Sequence, residues 1–211
     1  SGWDAPPQLS ALIAVMARLT MLMAVLLYLR QDDLKRLLAY STISHLAYIF
    51  IGISLGLSGS TIGYQGAGLH ILCHGAAKAT LFLCVGAVAY GAGTRRISQL
   101  SGLGARMPLE ATAFFIGALA ATGVPPFSCF WSKLFIFIGA LDTPAGADLL
   151  VFLAAESAIS FGWLMWVGQK VFLGQPSPAA AAAAAARWPM AVALVAGIVL
   201  CIAAPYAGLP L

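Results

Sequence analysis

The chain has 211 residues, of which 61% are hydrophobic and only 9% charged, with a formal net charge of +4. A soluble domain carries about 25% charged residues, so that class is excluded; a mean hydropathy of +0.94 fits a protein that uses lipid as its solvent. The positive charge sits in short loops between apolar runs, with no basic patch of interleaved aromatics, and is therefore not the signature of a nucleic-acid binder.

A helix needs about 20 apolar residues to cross a hydrocarbon core ~30 Å thick. Six runs qualify, over residues 9–29, 34–55, 66–90, 108–141, 149–171 and 188–206. Strand-like alternation is absent, which argues against a barrel. The expected class is all-α: a polytopic membrane helical bundle of about six transmembrane helices, one of them discontinuous. The chain begins at Ser1 without a methionine and shows no signal-peptide cleavage pattern, which reads as a processed product or a fragment.

The first run carries Arg18 near its middle. Snorkelling to an interface is awkward from that depth, leaving an interhelical pair and a functional charge as the two readings. The second run opens on Gln31-Asp32-Asp33-Leu34-Lys35-Arg36 and continues through Ser41 and His45. The bland role of its charged edge is to anchor a helix end; tuning an ion path is the other.

The third run is the most informative. His70, His74 and Lys78 are spaced four apart, and at 3.6 residues per turn their side chains share one stripe. Ionisable groups at membrane depth are costly and mark function by default. Imidazole donates on one nitrogen and accepts on the other, which suits proton transfer between waters. His70 and His74 could formally ligate a metal, but the sequence offers no evident third ligand, so no metal or cofactor is expected. Cys73, Cys84, Cys129 and Cys201 lie in apolar segments without a metal-ligand spacing and read as small packing residues.

The fourth run is too long. Its 34 residues, 108–141, would extend about 51 Å as a helix, and it contains Gly123-Val124-Pro125-Pro126. Proline removes a backbone donor and pushes its predecessor out of the helical region. Two half-helices with an unwound join are expected, leaving free carbonyls near Lys133. Such backbone survives at membrane depth only when buried or lining a wet cavity. The fifth run holds Glu156, whose carboxyl group must face the bundle; a structural contact and a proton-path role are equally open. Then Gly174-Gln175-Pro176-Ser177-Pro178 and a run of alanines form a connector: a turn followed by a stretch able to extend a helix.

Arg30, Lys35, Arg36, Arg95, Arg96, Arg106, Lys170 and Arg187 all fall on one face of a six-span topology, while the other face carries Asp4, Asp142 and Asp148. The basic face is expected to be cytoplasmic, with both termini outside, in a bacterial inner membrane.

Three motifs together resemble a known family. The segment Asp33-Leu34-Lys35-Arg36-x-Leu38-Ala39-Tyr40-Ser41 is similar to its cytoplasmic-edge motif. His70-x3-His74-x3-Lys78-Ala79-x-Leu81-Phe82 is similar to its H-x3-H-x3-K-A-L-L-F helix. Gly123-x-Pro125-Pro126-x4-Trp131-Ser132-Lys133 is similar to its discontinuous helix with a terminal channel lysine. The family is that of the antiporter-like, proton-pumping subunits of respiratory complex I, the Mrp sodium/proton antiporters and membrane-bound hydrogenases of the hydrogenase-4 type. It departs from the pattern at Ala47, where glycine is usual, and at Ser128-Cys129-Phe130, where the family has SGF.

The resemblance implies a fold of two inverted five-helix repeats, each with one broken helix. Residues 1–141 would be the second-half channel repeat, and residues 142–211 the C-terminal helices with the Ala-rich connector. With the residue readings above, it gives an expected proton path through Lys78, Lys133, His74, His70 and Lys35, with Glu156, Arg18 and His45 as auxiliaries. It implies a non-catalytic membrane subunit of an oxidoreductase complex, with no cofactor of its own. Its partners would be other membrane subunits, the lipid bilayer, and a separate chain or missing segment carrying the first-half channel. The rival readings are a sodium/proton antiporter component and a structural subunit with a non-conducting channel.

Overall fold

A computed structural model describes residues 6–143 and 146–207; Asp4 lies outside them. Helix α1 spans Pro7–Tyr28, α2 Leu34–Leu57, α3 Thr61–Ala92, α4 Pro108–Thr122, α5 Ser128–Leu141, α6 Gly146–Phe172, the one-turn α7 Pro178–Ala181 and α8 Trp188–Ala203. Among the described residues there is no strand. Helices α1, α2, α3 and α6 are each long and apolar enough to span a bilayer, as is α8 together with the 3-10 turn that continues it to Ala207. Helices α4 and α5 are half-length pieces that together occupy the fourth run. The expected break is therefore present, between Thr122 and Ser128.

Helix α3 is the central element and packs against α2, α4, α5 and α8. Apolar lipid gives helices no hydrophobic reason to associate, so membrane helices rely on close backbone approach at small residues. That device is visible where α3 meets α5. A Cβ on Gly139 would lie 2.5 Å from the Gly63 Cα, and one on Gly66 would lie 2.8 Å from the Ile136 amide nitrogen. This tight seam joins the first turns of α3 to the last turns of α5, and the antiparallel pair runs on to His70 of α3 and Ser132 of α5, beside Lys133.

The basic end is tied together by side chains from the second run. Asp33 caps α2 by accepting the Arg36 amide at 3.0 Å, and it also accepts from the Arg95 guanidinium. Burial alone pushes the Asp33 carboxyl up; the Arg36 amide and the Arg95 guanidinium outweigh it and hold the group below the usual carboxylate range. Asp32 accepts both the Ser98 amide, at 2.8 Å, and its hydroxyl, at 2.6 Å. The α3–α4 loop is thereby clamped to the start of α2. At the same end, the Gly102 amide donates to the Leu173 carbonyl and the Ser177 amide to the Ser101 carbonyl. At the opposite end, the Ser60 hydroxyl reaches Asp142 at 3.3 Å.

The alanine run does not extend a helix beyond one turn. Only Pro178–Ala181 is helical. The Ala184 amide donates to the Gly91 carbonyl, and the Ala186 amide donates to the Glu110 carboxylate at 2.7 Å. These anchors compete with the helical ladder for the same backbone donors, and the run becomes a strap across the basic end.

Candidate site along the buried polar axis

The stripe on α3 faces a second polar stripe on α2. Ser41, Ser44, His45 and Tyr48 are spaced at i, i+3, i+4 and i+7, which puts them on one helical face. All four are buried, as are His70, His74 and Lys78. Across the interface the Lys78 ammonium donates to the Ser41 hydroxyl at 2.7 Å. The His45 and His74 rings lie 5.5 Å apart between centroids, and His70 stacks on His74 at 5.6 Å. Tyr48 lies over His70 at 5.5 Å.

Helix α5 closes the column from the other side. The Ser132 hydroxyl meets His70 Nδ1 at 2.8 Å. The next residue, Lys133, is 3% exposed. Its ammonium donates to the Thr122 carbonyl at 3.2 Å and to the Ser157 hydroxyl at 2.9 Å, and sits 4.4 Å from the Tyr48 ring centroid. Thr122 is the last residue of α4, so its carbonyl is one that the helix break sets free. Gly123 makes the break possible. Its φ of +85° favours glycine, and a Cβ there would lie 2.9 Å from the Lys133 Cδ and displace that stem.

Glu156 on α6 gathers the hydroxyls. Ser44 donates to Oε1 at 2.7 Å, Ser160 to Oε1 at 2.7 Å and Tyr48 to Oε2 at 2.8 Å. Each hydroxyl has one proton to give, which fixes the direction of the chain. Ser157 accepts from Lys133 and donates to Tyr48, 2.7 Å away. Tyr48 shares its proton between Glu156 and the Leu153 carbonyl at 2.8 Å. Ser160 gives its proton to Glu156 and so accepts from Tyr28, 2.9 Å away. Both arms converge on one carboxylate, which makes Glu156 the buried counter-charge of Lys133 through two hydroxyls.

The histidines are organised differently. Both ring nitrogens of His45, both of His74 and Nε2 of His70 are buried with no hydrogen-bond partner among the described residues. His45 Nε2 is 3.8 Å from Glu156 Oε1, beyond hydrogen-bond reach. One ligand atom from each of His45, His70 and His74 can be chosen so that all lie within 4.8 Å of one another. Sequence spacing shows only the pair on α3. The third imidazole comes from another helix, and a spacing rule within one segment cannot see it.

Lys78, Lys133, His70, His74, His45 and Glu156 are therefore one cluster. Lys35 is not part of it: its side chain is exposed at the basic edge. Arg18 is half-buried on α1, its Nε without a hydrogen-bond partner among the described residues. The four cysteines are free and buried. Ser41, Ser44, Tyr48, Ser132, Ser157 and Ser160 also belong to the network, although no motif in the sequence gives them a role in it. The signal that finds them is the helical spacing of hydroxyls within otherwise apolar runs, as in Ser41-x2-Ser44-His45-x2-Tyr48 and Glu156-Ser157-x2-Ser160.

The family described as "NADH:quinone oxidoreductase/Mrp antiporter, TM" matches residues 4–160. The chain belongs to this family. Among its relatives are subunit 5 of a chloroplastic NAD(P)H-quinone oxidoreductase from Chaetosphaeridium globosum, 40% identical over 136 residues, and NADH-quinone oxidoreductase subunit N of Desulforudis audaxviator, 34% identical over 168 residues. The matches cover 60% and 79% of this chain but only 19% and 33% of those proteins. A chain in the Mrp complex of Dietzia sp. DQ12-45-1b has the same fold, with a TM-score of 0.84 and 26% identity; the match covers 96% of this chain and 45% of that one. The chain is thus an antiporter-like integral membrane protein that spans less than half the length of these relatives. The family match runs across the α2 and α3 stripes, the helix break, Lys133 and Glu156.

Proposed function

We propose that this chain carries the second-half proton channel of an antiporter-like subunit in a redox-driven membrane complex. Residues 1–141 form the channel repeat, and residues 142–211 supply the closing helices, with Glu156 lent from α6. The observation that carries the reading is the pair of buried ammonium groups, Lys78 and Lys133, on either side of a histidine column. A lysine at this depth is expensive unless its charge is used.

Each group has a role set by its contacts. Lys78 stores a proton at Nζ, held by Ser41. His74, His70 and His45 pass protons by donating on one nitrogen and accepting on the other. Lys133 exchanges protons with the outer side beside the Thr122 carbonyl, its charge offset by Glu156. The chain has no electron-carrying group among these residues, so the drive comes from a partner subunit whose electron transfer alters the field along the axis. Moving one charge through 100 mV is worth ~2.3 kcal/mol, comparable to a two-unit pKa change of about 2.7 kcal/mol.

The basic loops are gathered at one end, where Asp33 meets Arg95 and Gly102 meets Leu173. That supports placing this end in the cytoplasm of a bacterial cell, with both chain termini outside. Lys35 stays at that edge as an entry-side charge. The first-half channel is supplied by a further segment or a separate chain.

The test is proton uptake in vesicles reconstituted with the complex, with redox turnover followed in parallel. Lys78→Ala should abolish uptake while leaving assembly intact. Lys78→Arg should fail too, because arginine remains protonated and cannot cycle. Full pumping by either variant would sink the role of Lys78. A second reading, a sodium/proton antiporter component, is favoured by the likeness to the Mrp chain. It requires sodium gradients to drive pH changes in the absence of any redox substrate.

A further inference from the structure

We infer that His45, His70 and His74 form a binding site for a transition-metal dication of zinc type, set across the column between Lys78 and Lys133. Three features lead there. One nitrogen from each ring falls within 4.8 Å of the others, and all three residues are buried. Five of the six ring nitrogens have no hydrogen-bond partner among the described residues, so the cluster contains ligand atoms that those residues leave unused. Neighbouring groups are placed as supports of metal ligands usually are, since a ligating histidine commonly gives its second nitrogen to a hydroxyl, carboxylate or carbonyl. Ser132 holds Nδ1 of His70 at 2.8 Å, which leaves Nε2 for a ligand. The Glu156 carboxylate stands 3.8 Å from Nε2 of His45, near enough to pair once that ring turns.

The donor set selects the ion. Neutral imidazoles suit zinc, cobalt, nickel and copper, whereas magnesium and calcium require oxygen ligands. Three nitrogens with an open fourth position are an established zinc arrangement. Zn–N bonds of about 2.0–2.1 Å in a tetrahedral site put the nitrogens about 3.4 Å apart, so the rings must close from their present spacing. Among the described residues, no hydrogen bond to the rings of His45 and His74 resists such a rotation. The ion brings two positive charges into a cluster with Lys78, Lys133 and one carboxylate, Glu156. Its occupancy therefore competes with the protonated lysines, and it engages the nitrogens that a proton relay needs. The inference of metal binding stands on geometry alone and is tested without proton transport, so its failure leaves the proposed function untouched.

The experiment uses the protein purified in mild detergent. Cobalt(II) is titrated with visible absorption as the readout, then displaced by zinc. One saturable site per chain is expected, with the absorption of a tetrahedral cobalt centre. His45→Ala and His74→Gln should each weaken binding at least tenfold, and Ser132→Ala by about tenfold through the loosened His70 ring. X-ray absorption of the zinc-loaded wild-type protein should show nitrogen neighbours with imidazole scattering. That measurement decides the matter even where a variant fails to fold. Absence of saturable binding, unchanged affinity in folded His45→Ala and His74→Gln, or sulfur neighbours from Cys73 or Cys129 would each overturn the inference.

Discussion

The two lysines sit in environments built on opposite principles. Around Lys133, every hydroxyl from Ser157 to Tyr28 has a defined donor or acceptor role, and both arms end on Glu156. Beside Lys78, the ammonium has one hydroxyl partner, and the neighbouring imidazoles have almost none. A satisfied buried network resists rearrangement, whereas open donors and acceptors leave room for a mobile proton or another ligand. The first region holds a charge in place; under the proposed function, the second is where charge moves.

The contrast is sharpest under removal of the shared acceptor. Glu156→Ala orphans donors on Ser44 and Ser160, each costing ~1–3 kcal/mol when left unmade and buried, while Tyr48 keeps the Leu153 carbonyl as its acceptor. We expect a loss of about 3 kcal/mol in stability and impaired transport, read by thermal unfolding in detergent and by vesicle proton uptake. His74→Gln, which removes no protein hydrogen bond, should stay within about 1 kcal/mol in the same unfolding assay. Equal destabilisation by the two variants would erase the distinction between the regions.

The helix break is the next largest lever. Gly123→Ala forces a side chain into a left-handed conformation at a cost of ~1–2 kcal/mol and collides with the Lys133 stem. Lower stability together with slowed proton exchange is expected. An unaffected unfolding midpoint would mean that the turn can relax away from Lys133. Tyr48→Phe comes third. It keeps the ring beneath Lys133 but loses the phenolic bonds to Glu156, Ser157 and the Leu153 carbonyl, for a loss of ~1 kcal/mol. A neutral outcome in unfolding would show that the saturated region tolerates gaps.

The smallest effect lies outside both regions, at the basic end. The folded-state pKa of the Asp33 carboxyl is lowered, so its contribution is fully present above the unfolded value of about 3.9. That contribution is lost as pH falls through the lower folded value. The pair with Arg95 is partly exposed, and such pairs contribute at most ~1 kcal/mol. Asp33→Asn should therefore flatten the acid limb of the stability curve only slightly and make it less sensitive to salt. A large shift would show that the clamp is coupled to the core.

Much of this was legible in the residues. Long apolar runs set the spans, the double proline set the break, and the spacing of His70, His74 and Lys78 set the column, because each is a rule acting within one segment. Contacts between segments were not legible. His45 joins the histidines only because α2 lies against α3, and Glu156 meets Tyr48 only because α6 closes the far side. Lys35 reads as equal to the buried lysines in the motif, yet it is exposed, since a helix edge and a helix middle look alike in a list of charges. The alanine run shows the reverse failure: its helix propensity is strong, but anchors at Gly91 and Glu110 override it.

The severed end of α4 also gives the buried polar axis an electrical sign. A helix terminates in partial negative charge, roughly half an electron, on its unpaired carbonyls, and here that pole is turned on residue 133 through the Thr122 oxygen. A cation is welcome at this point whatever the surrounding side chains become. A carboxylate in its place would meet oxygen with oxygen and require a bridging proton to remain. The preference for positive charge is thus written in the main chain, and it changes only when the helix stops elsewhere, which makes Gly123 its guardian.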